Sequence, residues 1–598
     1  RRAGANTDEF FGAGKNLPWW LAGTSMVATT FAADTPLAVT ELVAQSGVAG
    51  NWLWWNMALG NMLTVFFFAS LWRRSGVLTD VELVEIRYEG KAAAWLRGIK
   101  AVFFGLVLNA IVIGWVSLAM ETVLSVLFPD LTLFGQTSFS ILGGDISASL
   151  VLVAGLVLVV AVYALMAGLW GVAVTDVFQF AIAIIGCFFL AYYALDAPEV
   201  GGLAGLRERL PEATLQLLPN IGDQSTGDTI AGGAQVLSLS LMAFFAYVGV
   251  QWWASWYPGS EPGGGGYVAQ RMLSAKDEKN AVFASLWFTI AHFCLRPWPW
   301  ILVALASLLL YPDLAAGQER EGFVMAMRDL LPSGLRGLLF ASFLAAFMST
   351  ISTQLNWGTS YLVNDVWQRF IEPKADSKRL VFISRVLTFC VALFGLVVTA
   401  NLDSISQAWG LIITASAGLG FVLILRWYWW RINAWSELAV TLSPIVLMIA
   451  ALIAGQFGVS IPGLSADFPG NLFYVAGFSI ALALIVTFTT RPTTDERLDA
   501  FYRKTRPGGP GWKTVAARNP DIRPGDKLGP LFKNWLAGII LVYSVLFGVG
   551  YLLFGKTLLG IVCLLVGAGA TAFLVNHFRN ETELDSDGSA LSPTPIDR

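Results

Sequence analysis

The chain has 598 residues, 56% of them hydrophobic and only 13% charged, with a formal net charge of −3 and a mean hydropathy of +0.64. A water-soluble protein of this length carries about a quarter charged residues, so a soluble multidomain protein is excluded. A near-neutral charge with no basic aromatic stripe gives no sign of nucleic-acid binding, and four scattered cysteines and two histidines give none of a disulfide framework or a histidine-based metal site.

The first stretch, residues 1–17, begins RRAGANTDEFFGAGK without an initiating Met or a signal peptide. It reads as a cytoplasmic segment whose preceding helix is missing from this fragment. Apolar runs follow near 18–45, 51–72, 97–127, 149–169, 171–194, 229–256, 281–311, 334–362, 380–401, 404–430, 436–457, 471–490, 533–554 and 557–577. These make about fourteen segments, each able to cross a ~30 Å hydrocarbon layer as a helix. The expected class is therefore an all-α polytopic membrane protein embedded in a lipid bilayer. Many of the 24 tryptophans suit its interfacial belts.

Loop charges set the orientation. Arg73, Arg74, Arg87, Lys91, Arg97 and Lys100 lie between the second and third segments, and Arg271, Lys276 and Lys279 follow the sixth. Arg369, Lys374, Lys378 and Arg379 follow the eighth, Arg426 and Arg431 end the tenth, and 491–532 is a basic linker. Simple alternation puts all of these on one side, which predicts that side as cytoplasmic.

The first ten segments divide into two groups, 18–194 and 229–430, each of five helices. An odd number per group inverts the second relative to the first, an organisation found in transporters with broken helices at the binding site. Beyond them lie two peripheral helices at 436–490, the linker at 491–532, a helix pair at 533–577 and an acidic tail at 578–598. The first segment of each group carries a break. In TTFAADTPLA, Asp34, Thr35 and Pro36 interrupt an apolar run, and WWASWYPGSEPGGGGYVAQR combines two prolines with a run of glycines. Singly, these are a kink and a loop; at corresponding places in two halves they favour a site with freed carbonyls.

In AAFMSTISTQ, residues 345–354, Ala346, Ser349, Ser352 and Thr353 share one helical face, with Thr350 about 100° round from Ser349. Two readings fit: small residues allowing close helix packing, or hard oxygens suited to an alkali cation. GLWGVAVTDVFQF adds Asp176 at the start of the fifth segment, as a helix-start carboxylate or as a ligand. Arg296 lies in the apolar seventh segment. It is either paired with Asp34 or offers a fork of donors to a solute, with Trp253, Trp256 and Trp409 as aromatic neighbours.

LPWWLAGTSMVATTFAADTP, SGVLTDVELVEIRYEG, GLWGVAVTDVFQF, YVAQRMLSAKDEKNA and AAFMSTISTQLNWGTSYLVNDVW together resemble the sodium:solute symporter family over roughly residues 8–435. The resemblance implies inverted five-helix repeats of the LeuT-like kind, with additional C-terminal helices, and Na+ as the coupling ion. It also implies one sodium site at Ala28, Phe31, Ala346, Ser349 and Thr350, and a second at Asp176, Ser349, Ser352 and Thr353. The substrate positions depart from the family's sugar carriers. Thr35, and Trp55 or Asn56, stand where those carriers place a Gln and an acid, whereas Arg296 matches their cationic residue in the seventh helix.

The expected function is Na+-driven import of a small polar solute, a sugar or polyol before an organic acid or amino acid, across a bacterial cytoplasmic membrane. Proton coupling through Asp34 or Asp176, and a solute sensor on the same fold, are the alternatives. No HExxH sequence is present and His292 has no partner at ligand spacing, so an enzyme is not expected. Nothing in the sequence implies an oligomer.

Overall fold

The computed structural model describes residues 15–77, 79–141, 144–164, 169–221, 238–239, 244–464 and 469–586. The first segment forms α1 (Trp19–Thr29) and α2 (Asp34–Ser46), interrupted at 30–33. The second is discontinuous, made of Trp52–Trp55, Ala58–Leu63 and Ala69–Ser75 with a π turn at Thr64–Phe68. Next come α3 (Gly90–Leu127), α4 (Ala148–Ala164) and α5 (Leu169–Asp196). The sixth segment is helical over 246–254, breaks, and resumes as α6 (Gly266–Ser274). Its earlier part is outside the described residues apart from Ser238–Leu239, which pairs as a two-residue strand with Asn220–Ile221 where a helix was expected.

Then follow α7 (Glu278–Leu310), α8 (Ser333–Ile371), α9 (Ser377–Thr399), α10 (Ile405–Ala415) and α11 (Leu419–Tyr428). The chain continues through α12 (Ala434–Gln456), α13 (Gly470–Thr489), α14 (Leu528–Leu553) and α15 (Thr557–Ser586). Among the described residues nine helices are long and apolar enough to span a membrane, or ten if α10 and α11, bent by 50°, count as one. The other expected segments are broken, or short like α4. The expected loop after α3 also contains an antiparallel hairpin, Ser138–Ile141 with Gly144–Ser147.

Every break exposes backbone groups that hydrocarbon cannot satisfy, and specific side chains take them up. Arg87 donates to the carbonyls of Arg426, Trp429, Trp430 and Ile432, closing the end of α11. The Ser416 hydroxyl accepts from the Trp256 N–H at 2.8 Å, and the Gly418 N–H donates to the Ala254 carbonyl at 2.9 Å. The bend of the tenth segment is therefore bonded to the break of the sixth. The C-terminal pair acts similarly on the second segment: Tyr543 donates to the Trp55 carbonyl at 2.9 Å and Trp535 to that of Leu59 at 3.0 Å.

Several charges assigned to solvated loops from sequence are interior. Arg87, Lys100, Arg271 and Arg426 are all buried. Lys100 and Arg426 converge on buried Glu437 at 2.6 and 3.1 Å, joining α3, α11 and α12. The cluster holds a long charged side chain inside only because each charge meets its opposite.

The crossing of α3 and α8 positions the site. Asn109 donates to the carbonyls of Gln354 and Gly105, and a methyl group on Gly358 would lie 2.3 Å from the Gly105 carbonyl oxygen. Gly358→Ala is therefore expected to force the helices apart and to destabilise the protein by about 1–3 kcal/mol, read as a lower thermal midpoint in detergent.

Candidate cation and solute site

Helix α1 packs against α5 and α8. This brings Asp176 to the centre of a hydroxyl cluster: its two carboxylate oxygens accept from Ser25 at 2.7 Å and from Ser349 at 2.8 Å. The Ser352 hydroxyl donates to the Ser349 carbonyl at 2.9 Å, and Thr353 is buried nearby on the same helix. Arg271 on α6 approaches the same cluster from the other side. It donates to Thr29 Oγ1 at 3.2 Å and reaches Ser25 Oγ at 3.5 Å, so Ser25 lies between the carboxylate and the guanidinium.

The hydroxyl of Thr350, one turn from Ala346, is buried and has no hydrogen-bond partner among the described residues. An orphaned hydroxyl at a membrane helix crossing is costly, and a cation would satisfy it. At the end of α1, the Ala28 carbonyl accepts from the Phe31 N–H at 3.0 Å. Phe31 itself sits in the unwound stretch, its ring stacked on Trp300 at 5.5 Å and edged by Phe343 and Phe180. That aromatic packing holds the backbone of the break in place. The donor type, hydroxyl and carbonyl oxygens with one carboxylate, suits Na+, a hard monovalent cation.

Beside this cluster is a cavity of about 50 Å³ bounded by both breaks. Asp34, Thr35, Thr350, Gln354, Arg296 and Trp409 line it, with Trp115 and Tyr257 as further aromatic walls. Tyr257 lies parallel to Trp115 at 6.2 Å and edge-on to Trp409 at 5.8 Å. Trp409 Nε1 and Gln354 Oε1 are buried without partners among the described residues. The Asp34 carboxylate stands at the start of α2, faced by the Trp115 indole and the Thr35 N–H, as a helix N-terminus favours.

Arg296 lines the cavity, but it departs from one of its two sequence readings. It makes no ion pair with Asp34; instead its guanidinium donates to the carbonyls of Val27 and Thr30, each at 3.1 Å, and to Thr30 Oγ1 at 2.6 Å. These groups form the end of α1, where a cation also meets the negative pole of the helix dipole. Trp300 covers the guanidinium at 5.0 Å, and only Nε is left without a partner. Arg296 is thus the cap that lets α1 end inside the membrane.

Of the remaining solute candidates, Asn56 donates into its own helix, to the carbonyls of Trp52 and Leu53. Trp253 packs on Phe421, and Trp256 stacks on Trp357. None of the three lines the cavity. Sequence reading passed over Ser25, Arg271, Gln354, Trp115 and Tyr257, which come from four different helices and the sixth-segment break. The buried Arg in YVAQR was the available signal, but its neighbours in sequence made it look like a loop charge.

Arg296→Lys cannot span all three acceptors, so it is expected to cost about 1–3 kcal/mol per carbonyl left bare and to lower the thermal midpoint. Adding Asp34→Asn should not restore it, because the two side chains are not paired.

Residues 10–442 match the family model described as sodium:solute symporter family. The sodium/glucose cotransporter of Vibrio parahaemolyticus is 25% identical over 519 residues, covering 82% of this chain and 86% of that protein. Sodium/glucose cotransporter 4 of Danio rerio is 24% identical over 575 residues, covering 86% and 81%. A Na+-coupled sialic acid symporter, solved substrate-bound and outward-open, superimposes with a TM-score of 0.58 at 17% identity, covering 81% of this chain and 93% of that one, a likeness of fold. With its breaks, its hydroxyl cluster and more than two thirds of its length matched, this chain belongs to the sodium:solute symporter family and is a multi-pass, Na+-coupled transporter.

Proposed function

We propose that the chain carries a neutral polyhydroxylated solute, a sugar or polyol, into a bacterial cell across its cytoplasmic membrane together with Na+. The observation behind this is the cavity at the two breaks. It pairs flat aromatic walls, Trp115, Tyr257 and Trp409, with unpartnered polar atoms on Trp409 and Gln354. Aromatic faces with a few convergent donors and acceptors suit a ring that is apolar on one side and hydroxylated at its edge. An organic acid is less well served, since Arg296 directs both terminal nitrogens to α1 and keeps only Nε free. At about 50 Å³ the cavity is well below the ~300 Å³ of an ordinary ligand site, so a solute needs the broken helices to move apart.

Ala28, Phe31, Ala346, Ser349 and Thr350 are assigned to one Na+, and Asp176, Ser349, Ser352 and Thr353 to a second. Support for the first is the orphaned Thr350 hydroxyl on α8, which shares a cavity with Thr30 and Ala32 of the α1 break. The second shares Ser349 with it, and its carboxylate already has a built-in cation one hydroxyl away in Arg271. A Na+ at Asp176 must therefore loosen that guanidinium, which links the second site to α6.

Uptake of a labelled panel of sugars, polyols and organic acids into proteoliposomes, with and without an inward Na+ gradient, tests the solute class. Gradient-dependent uptake limited to organic acids overturns the reading. Thr350→Ala and Ser349→Ala should each weaken apparent Na+ affinity about tenfold, the effect of ~1.4 kcal/mol. Asp176→Asn should turn a sigmoidal Na+ response hyperbolic; a wild-type response that is already hyperbolic, with charge movement fitting a single Na+ per solute, removes the second site.

A further inference from the structure

A separate polar cavity, about 10 Å³ and so near the size of one water, lies among the second segment, the sixth-segment break and α7. Glu261, Asn61, Thr64, Ser285 and Thr289 line it, and none of these belongs to the sodium positions above. Glu261 is only 3% exposed, in the Gly-rich stretch before α6, where the Gly259 N–H donates to its Oε1 at 3.1 Å. Gly266, at φ +53°, has no room for a side chain, since a methyl group would come within 2.6 Å of the same oxygen.

No Lys or Arg among the described residues pairs with this carboxylate. Asp80, of like sign, acts on it across Gly265, and the phenol of Tyr267 on α6 is a further electrostatic neighbour. The walls from the second segment and α7 bring no titratable group, only the amide of Asn61 and the three hydroxyls. A buried carboxylate in this setting needs a counter-charge.

The other walls offer more than a proton would use. Thr289 and Ser285 donate their hydroxyl hydrogens to carbonyls of their own helix, at 2.8 and 3.0 Å, leaving oxygen lone pairs free. Asn61 Nδ2 is buried without a partner among the described residues, and a flip of the carboxamide costs it no hydrogen bond while turning its oxygen inward. One carboxylate, one amide oxygen and three hydroxyls make a set of five hard oxygens with a single negative charge. A monovalent cation matches that set in size and charge, whereas a divalent ion would keep a surplus charge.

We propose that this cavity is a further Na+ site, and that its occupancy ties α6 to the second segment and α7. The proposal does not depend on the solute or on the roles of Ser349 and Thr350. It is tested on the purified full chain by equilibrium binding of radioactive sodium and by thermal unfolding in NaCl against choline chloride. Glu261→Gln, close in shape, should bind one Na+ fewer per chain at saturation. In an Asp176→Asn/Ser349→Ala background, where both sites assigned above lose the shared Ser349 hydroxyl and the second also loses its carboxylate, a Na+-dependent rise in thermal midpoint should persist and shrink on adding Glu261→Gln. Thr64→Val, which keeps the carboxylate, should weaken that component about tenfold and serves if Glu261→Gln does not fold. Unchanged sodium stoichiometry and unchanged stabilisation in a folded variant overturn the site. So does a Glu261→Gln variant that alters only the pH dependence of stability, since the carboxylate would then hold a proton.

Discussion

A helix that ends in the middle of a hydrocarbon layer leaves carbonyls with nothing to bond, and in this protein a buried Arg296 takes those at the end of α1. The rest of the site depends on this capping. It fixes the unwound stretch 30–33, so that Phe31 can lie on Trp300 and Asp34 can begin α2 facing the cavity. The guanidinium also balances the helix dipole with its own charge, which a neutral donor could not do. Arg87 repeats the device at the end of α11.

The breaks are coupled as well as capped. The sixth segment holds the tenth through Ser416 and Gly418, and the C-terminal α14 takes up carbonyls of the interrupted second segment. Movement at one break therefore changes the partners of another. Such discrete, hydrogen-bonded junctions suit a carrier that alternates between arrangements, because each junction has few satisfactory geometries. The electrostatics follow the same pattern. Asp176 on α5 and Arg271 on α6 meet through one serine hydroxyl, so a change of charge at Asp176 would reach α6 without direct contact.

The amino-acid sequence by itself determined the class and pointed to part of the candidate site. Apolar runs of membrane-spanning length, the paired Pro/Gly interruptions and the hydroxyl cluster at 349–353 follow from local composition, and the structure places Asp176 on Ser349. These features are legible because lipid imposes one requirement, backbone satisfaction, on every stretch of chain in turn. What only the tertiary structure decided was the partner of each buried polar group. Arg296 looks from sequence like a mate for Asp34 or a solute ligand, and packing gives it to the carbonyls of Val27 and Thr30. Arg271, Lys100 and Arg426 look like solvated loop charges, and packing buries them against Ser25, Thr29 and Glu437. Trp253 and Trp256 look like solute platforms, while Trp115 and Tyr257, with no distinguishing local pattern, form the walls. The physical reason is that hydrophobic patterning depends on near neighbours in the chain, whereas the pairing of charges and hydrogen bonds depends on which helices cross, at separations of up to hundreds of residues.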